Sequence, residues 1–107
     1  MEFLFYTSNQ ITGDDDVRAR IEAAVREKLE RIAPALTRVE LHLSDPDGRA
    51  RDAAGKRARL EARPKGRDPI VVSHDAPTVD LAAVGAAEKL LVAFAREQGR
   101  ITSRKGH

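Results

Sequence analysis

The sequence predicts an α+β domain of order β-α-β-β-β-α, a four-stranded, mostly antiparallel sheet with two helices on one face. Three observations predict it. Residues 38–44 and 57–63 alternate apolar and charged side chains, the pattern of strands with one buried face. Two other stretches, from Val17 and from Thr78, repeat apolar residues at three- and four-residue steps, the pattern of amphipathic helices. The chain has 107 residues, which suits one domain.

Each element has its own signal. Met1 to about Ser8 is rich in aromatic and long apolar residues and reads as a strand. Residues 9–13 read as a loop, and Asp14-Asp15-Asp16 supplies an N-cap and negative charge where the helix dipole favours it. Val17, Ile21, Ala24, Val25, Leu29 and Ile32 form the apolar stripe of the first helix, which Pro34 ends. In the second strand Val39, Leu41 and Leu43 point inward, and Arg38, Glu40 and His42 point to water. Residues 44–55 include Asp-Pro-Asp-Gly and read as a long mobile hairpin loop. The third strand turns Ala58, Leu60 and Ala62 inward and Arg57, Arg59, Glu61 and Arg63 outward. Pro64-Lys65-Gly66 is a turn, and Pro69 to about His74 is the fourth strand.

The second helix has Thr78 as N-cap, a core stripe of Ala83, Ala86, Ala87, Leu90 and Phe94, and Gly99 just past its end. Residues 1–101 then form the single domain and residues 102–107 a short basic tail. The helix between the first two strands makes them parallel, with a right-handed crossover.

Composition excludes several functions. Without cysteine there are no disulfides, thiolate zinc sites or cysteine nucleophiles. No apolar run approaches the ~20 residues that span a bilayer. The N-terminus lacks the basic and long apolar regions of a signal peptide, so the expected compartment is the cytoplasm. His42, His74 and His107 sit in no ligand-spaced pair, and His42 reads as a residue of the wet sheet face. Asp45-Pro46-Asp47-Gly48 lacks the downstream Glu of a calcium loop and reads as a turn. No nucleophile–base pair stands out. The expectation is a protein that is not an enzyme, with no cofactor, no metal and no small-molecule substrate.

Charge is segregated. Residues 1–48 hold six basic and ten acidic side chains, residues 49–67 hold eight and two, and residues 68–107 hold five of each. On the first helix Arg20, Lys28 and Arg31 share a ridge beside the apolar stripe, with Arg18 and Arg26 on the other flank. On the second, Lys89, Arg96 and Arg100 share another. Two such helices side by side would present a basic groove that neutralises phosphates. The ridges also read as solvated faces with partners such as Glu27. Arg57, Arg59 and Arg63, with Lys56, Lys65 and Arg67, form a second basic surface on the open sheet face or its edge. It has no aromatic stacking platform, which argues for backbone or shape recognition of folded RNA. Leu81, Val84, Leu91 and Val92 lie off the core stripe and either deepen the core or face a partner.

Taken in order, these segments resemble the ribosome hibernation-promoting factor and ribosome-associated inhibitor family, also called the sigma-54 modulation family. The points of match are the opening strand, Asp16-Val17-Arg18, Lys28-Leu29-Glu30-Arg31-Ile32, Val39-Glu40-Leu41-His42-Leu43-Ser44, Lys56-Arg57-Ala58-Arg59-Leu60-Glu61, and the run from Ala76 through Ala82-Ala83 to Glu88-Lys89-Leu90. Asp80 and Val84 depart from the pattern, and the second helix is less cationic than the family's. The resemblance implies a fold similar to double-stranded-RNA-binding domains. It implies binding to the small ribosomal subunit at the subunit interface, over the mRNA and tRNA sites, in stress or stationary phase. The family's RNA-facing positions fall on Arg18, Lys28, Arg31 and Lys89, with Arg96 and Arg100 beyond them. The short length matches the family's short form. Two other readings remain: a stress-related interaction module forming a weak homodimer through the apolar face of the second helix, and a free-standing double-stranded-RNA binder.

Overall fold

The computed structural model describes residues 1–7, 15–45 and 55–105, with side chains through residue 99. The strands are β1 (Glu2–Thr7), β2 (Leu36–Ser44), β3 (Lys56–Pro64) and β4 (Ile70–Ala76), and the helices are α1 (Asp15–Leu29) and α2 (Val79–Lys105). They form one four-stranded sheet in the order β1-β2-β3-β4. β1 runs parallel to β2, and the other two pairs are antiparallel. The expected α+β architecture and element order are therefore present. The loop expected at residues 9–13, Asp14 of the cap, and most of the hairpin loop at 44–55 lie outside the described residues.

Alternation along the strands places most of the large apolar side chains on one face; Leu4 and Val71 lie on the other, beside Glu40 and Glu61. Val39, Leu41 and Leu43 of β2 and Ala58, Leu60 and Ala62 of β3 are buried, and Phe3 and Phe5 of β1 pack against them. From above, α1 adds Ile21, Val25 and Leu29, and α2 adds Ala82, Ala83, Ala86, Ala87, Leu90 and Phe94. The alanines make the α2 face nearly flat, so its backbone lies close over β3 and β4. One position needs a glycine for this: a Cβ at Gly85 would run into the ring of His74, which faces the helix from β4.

β4 runs two residues past its expected end, to Ala76, and three further boundaries differ from the sequence expectation. β2 begins at Leu36, two residues early, because the register shifts between Leu36 and Arg38. That irregularity lets Leu36 and Val39, three residues apart, both point into the core. Thr37 anchors it by donating its hydroxyl to the Arg63 carbonyl at 3.0 Å. The first helix ends at Leu29 rather than Ile32. Pro34 has no N–H to give the Glu30 carbonyl, and beyond Leu29 the chain tightens into three-residue hydrogen-bonded steps that end in a short 3-10 turn at Ala33–Ala35. Ile32 still packs on the core.

The second helix starts as expected, with Thr78 Oγ1 accepting from the Leu81 amide at 3.1 Å. It does not stop at Gly99 but runs on to Lys105, so residues 102–105, expected as tail, are helical. A Cβ added at Gly99 would meet open space, and an isolated glycine costs a helix only about 1 kcal/mol. The turn from Pro64 to Arg67 uses Gly66 at φ +67°, a left-handed conformation that glycine adopts without strain.

Two outcomes follow from this packing. Gly85→Ala should destabilise the fold by about 1–3 kcal/mol through overpacking against His74. The same change made in a His74→Ala background should be neutral or stabilising. Denaturant melts of the four variants check it, and a stabilising Gly85→Ala alone would show that the ring does not occupy this notch. On the open face, Arg57 and Asp75 are direct cross-strand partners joined by a two-pronged bond at 2.8 and 3.1 Å. The hydrogen bond from Arg57 holds the Asp75 carboxyl below the usual aspartate range. A depressed folded-state pKa gives stability that is present above the unfolded value and lost as pH falls through the folded one. The stability gap between wild type and Asp75→Asn should therefore be small but constant at neutral pH and close in acid, as paired melts at the two pH values would read.

Candidate nucleic-acid interface

The structure sorts the cations of the helical layer into three lines. The first is the seam between the helices. Arg20 grips Asp80 with two prongs, Nε to Oδ2 at 2.9 Å and a terminal nitrogen to Oδ1 at 3.2 Å. Lys28 Nζ reaches Glu88 Oε2 at 3.2 Å. Eight residues separate the two rungs on each helix, so α1 and α2 run in the same direction and the rungs stand about 12 Å apart. Ile21, Ala24, Ala83 and Val84 close the seam at its Arg20–Asp80 end.

The second line faces β1. The Arg18 guanidinium lies 4.7 Å above the Phe5 ring and donates to the Phe5 carbonyl at 3.3 Å. Arg26, eight residues on, lies 5.2 Å above the Phe3 ring and binds Glu22 at 2.8 Å. The aromatic faces attract these cations while leaving their outer edges exposed to solvent.

The third line follows the opposite edge of the sheet. Lys89 Nζ donates to the Ser73 carbonyl of β4 at 2.9 Å. Arg96 lies two turns further along and borders a shallow groove with Val72, His74, Lys89 and Val92. Arg96 has no ion pair among the described residues. Arg100 lies on α2, but its side chain is outside the described residues.

The single basic groove expected between the helices is therefore not how these residues meet. Arg20 and Lys28 do share a ridge, but each is paired with a carboxylate of α2. Arg31 does not continue that ridge, because α1 ends at Leu29 and Arg31 stands exposed in the turn beyond it. Arg18 and Lys89 lie on opposite flanks. The compensating carboxylates, Asp80 and Glu88, were legible in one respect: they repeat the eight-residue spacing of Arg20 and Lys28.

The second basic surface is on the open face, as expected. It is not a sheet edge, since β3 lies inside the sheet. Glu61 takes Arg63 at 2.8 Å and Arg59 at 3.6 Å, and Glu40 takes Arg38 at 3.2 Å and His42 at 3.4 Å. Glu40 and Glu61 are themselves direct neighbours across the strands, a like-charge contact that the surrounding cations offset. Lys56 pairs with Asp45 at 3.0 Å, while Lys65 and Arg67 project from the turn. The expected lack of an aromatic group is corrected: Tyr6 of β1 stacks on His42 with ring centroids 4.7 Å apart and planes 15° apart. Tyr6 and His42 are 36 residues apart in sequence, and the parallel pairing of β1 with β2 brings them together.

Off the core stripe of α2, Leu91 packs against the core, whereas Leu81 and Val92 are 56% and 58% exposed. No three metal-ligating side chains gather among the described residues, and no helix among them is long and apolar enough to cross a membrane.

Comparison with known proteins adds the family. Solved structures share the fold, two of them as follows. One is the N-terminal domain of Protein Y from Thermus thermophilus, 19% identical with a TM-score of 0.64, covering 90% of this chain and 98% of that one. Another is a ribosomal subunit interface protein from Coxiella burnetii, 11% identical with a TM-score of 0.69, covering 92% and 99%. No curated protein sequence matches. The family model described as sigma 54 modulation protein / S30EA ribosomal protein matches residues 4–102, nearly the whole chain. With its β-α-β-β-β-α order in place, the chain belongs to the sigma 54 modulation protein / S30EA ribosomal protein family.

Proposed function

We propose that this chain is a ribosome-associated translation inhibitor of the hibernation type. It binds small-subunit ribosomal RNA at the subunit interface and occludes the mRNA and tRNA sites under stress, in the cytoplasm. The observation that carries this reading is the family match over residues 4–102. The description of one similar structure as a ribosomal subunit interface protein supports it. So does the chemistry of the helical layer. Arg18, Arg20, Lys28, Arg31, Lys89 and Arg96 would contact phosphates, with Arg100 beyond them.

The ion pairs on the seam do not oppose this. Both are half exposed, Arg20 with Asp80 at 59% and 43% and Lys28 with Glu88 at 42% and 59%. Exposed pairs of this kind are worth about 0.2–1 kcal/mol. A phosphate can displace such a carboxylate at little cost. Arg18 and Lys89 are held by carbonyl oxygens, so no carboxylate among the described residues has to leave when they take an anion.

A second reading has one observation in its favour. Leu81 and Val92 are eleven residues apart, three helical turns, and so share one exposed face of α2. A protein-interaction module would use that face to form a homodimer. Size exclusion at several concentrations with nuclease present separates the two readings.

Sucrose-gradient sedimentation tests the leading one. The chain should travel with 70S ribosomes or small subunits at low salt and be released as salt rises. Lys28→Glu combined with Lys89→Glu should weaken the association and flatten the log–log salt slope by about 0.7–0.9 per lost phosphate contact. Arg57→Glu with Arg59→Glu should change it less. Failure to co-sediment at low salt would end this reading. Affinity for simple RNA duplexes without ribosomes would favour a free-standing duplex binder.

A further inference from the structure

The open face of the sheet holds a row of groups that the helical layer does not use. The strand register aligns Tyr6 with His42, His42 with Arg59, and Arg59 with Ser73. One line therefore crosses all four strands on the side away from the helices: phenol, imidazole, guanidinium, hydroxyl. Neighbouring strands are about 4.8 Å apart, so the line measures roughly 14 Å, enough for two or three nucleotides.

We infer that this row is a binding platform for single-stranded RNA, with an unpaired base stacking against Tyr6 and His42 and a flanking phosphate held by Arg59. Tyr6 stands on the edge strand and is 45% exposed, although its ring is already stacked on one side. An aromatic group presented this way offers a flat apolar face at the sheet margin. A base from an unpaired strand can lie on it, whereas a base inside a duplex cannot reach it.

The charges favour an anionic ligand at one point of the row. On β2 and β3 the face carries Arg38, Arg57, Arg59 and Arg63 against Glu40 and Glu61, and Asp75 of β4 is occupied by the fork of Arg57. Glu61 sits closer to Arg63 than to Arg59, so Arg59 is the guanidinium held most loosely. It is also the one next to the rings. The carboxylates Glu40 and Glu61 lie one row away, Glu61 beside Arg59 and Arg63 and Glu40 beside Arg38 and His42. They border the platform and favour a single strand running along the row over a broad polyanion laid across the whole face.

The chain has one tyrosine and no tryptophan, so its emission reports on Tyr6 alone. Titration of the full chain with an oligouridylate of about ten nucleotides at low salt should quench that emission saturably. Anisotropy of the labelled oligonucleotide should show binding roughly tenfold weaker for Tyr6→Ala, the loss expected for one base stack. Arg59→Gln, which removes the charge, should weaken it several-fold, and Tyr6→Phe should bind like wild type. Circular dichroism confirms that each variant is folded. Three results would each overturn the inference: no tyrosine quenching, equal competition by a duplex of the same length, or unchanged affinity in both Tyr6→Ala and Arg59→Gln. Because these assays contain no ribosomes, their failure leaves the ribosome reading intact. Failed co-sedimentation would equally leave the platform standing.

Discussion

The close seating of α2 on β3 and β4 governs where the charges of the helical layer end up. Ala82, Ala83, Ala86 and Ala87 occupy the contact, with Gly85 making room for the His74 ring. Because this face is flat, the helix axis lies low on the sheet. The next residues around the helix are then forced to its flanks. Asp80 and Glu88 turn toward α1, and Lys89 turns toward the edge of β4. A bulkier contact face would lift the helix and move all three. The placement of these charges thus depends on the alanines as much as on the charged residues.

Once the helices are parallel and close, like charges facing across the seam would repel. The sequence answers with cations on α1 and carboxylates on α2 at the same eight-residue interval. The result is a pair of rungs that orient the helices while contributing little stability, since both are solvated. Such pairs are exchangeable in a way that buried ones are not. Their cations stay available to a stronger anion, and the released carboxylates return to water.

Much of the fold was legible because two periodicities write it directly. Alternation in residues 38–44 and 57–63 assigns both central strands and their wet faces, and the 3.6-residue repeat assigns both helices and their stripes. What the sequence hides is where a period breaks or where two distant segments meet. Leu36 belongs to β2 but falls off its alternation, because the irregularity before Arg38 resets the phase. Gly99 looks like a helix end and is not one, since a glycine with open space around it can be carried within a helix. The candidate site suffered most. A ridge is a property of one helix, but a groove depends on what the neighbour supplies. Nothing local to Arg20 or Lys28 names Asp80 or Glu88 as their partners. Tyr6 and His42 likewise become a pair only through the register of a parallel ladder.

The two faces of the molecule also differ in how their cations are held, and that difference bears on selectivity. On the helical side, Arg18 and Lys89 rest against carbonyl oxygens, and Arg31 and Arg96 have no carboxylate among the described residues. At those four an anion has no described carboxylate to displace, whereas at Arg20, Lys28 and Arg26 it competes with Asp80, Glu88 and Glu22 in exposed pairs. On the open side, Arg38, Arg57, Arg59 and Arg63 each have a carboxylate within 3.6 Å. Charge alone gains less there, because every phosphate contact must first compete with Glu40, Glu61 or Asp75. A ligand for that face has to bring a second source of free energy, and the one the surface offers is the stacked ring pair at its margin. If the two proposals hold, the helical layer meets a phosphate backbone in general, and the sheet discriminates by whether bases are free to stack.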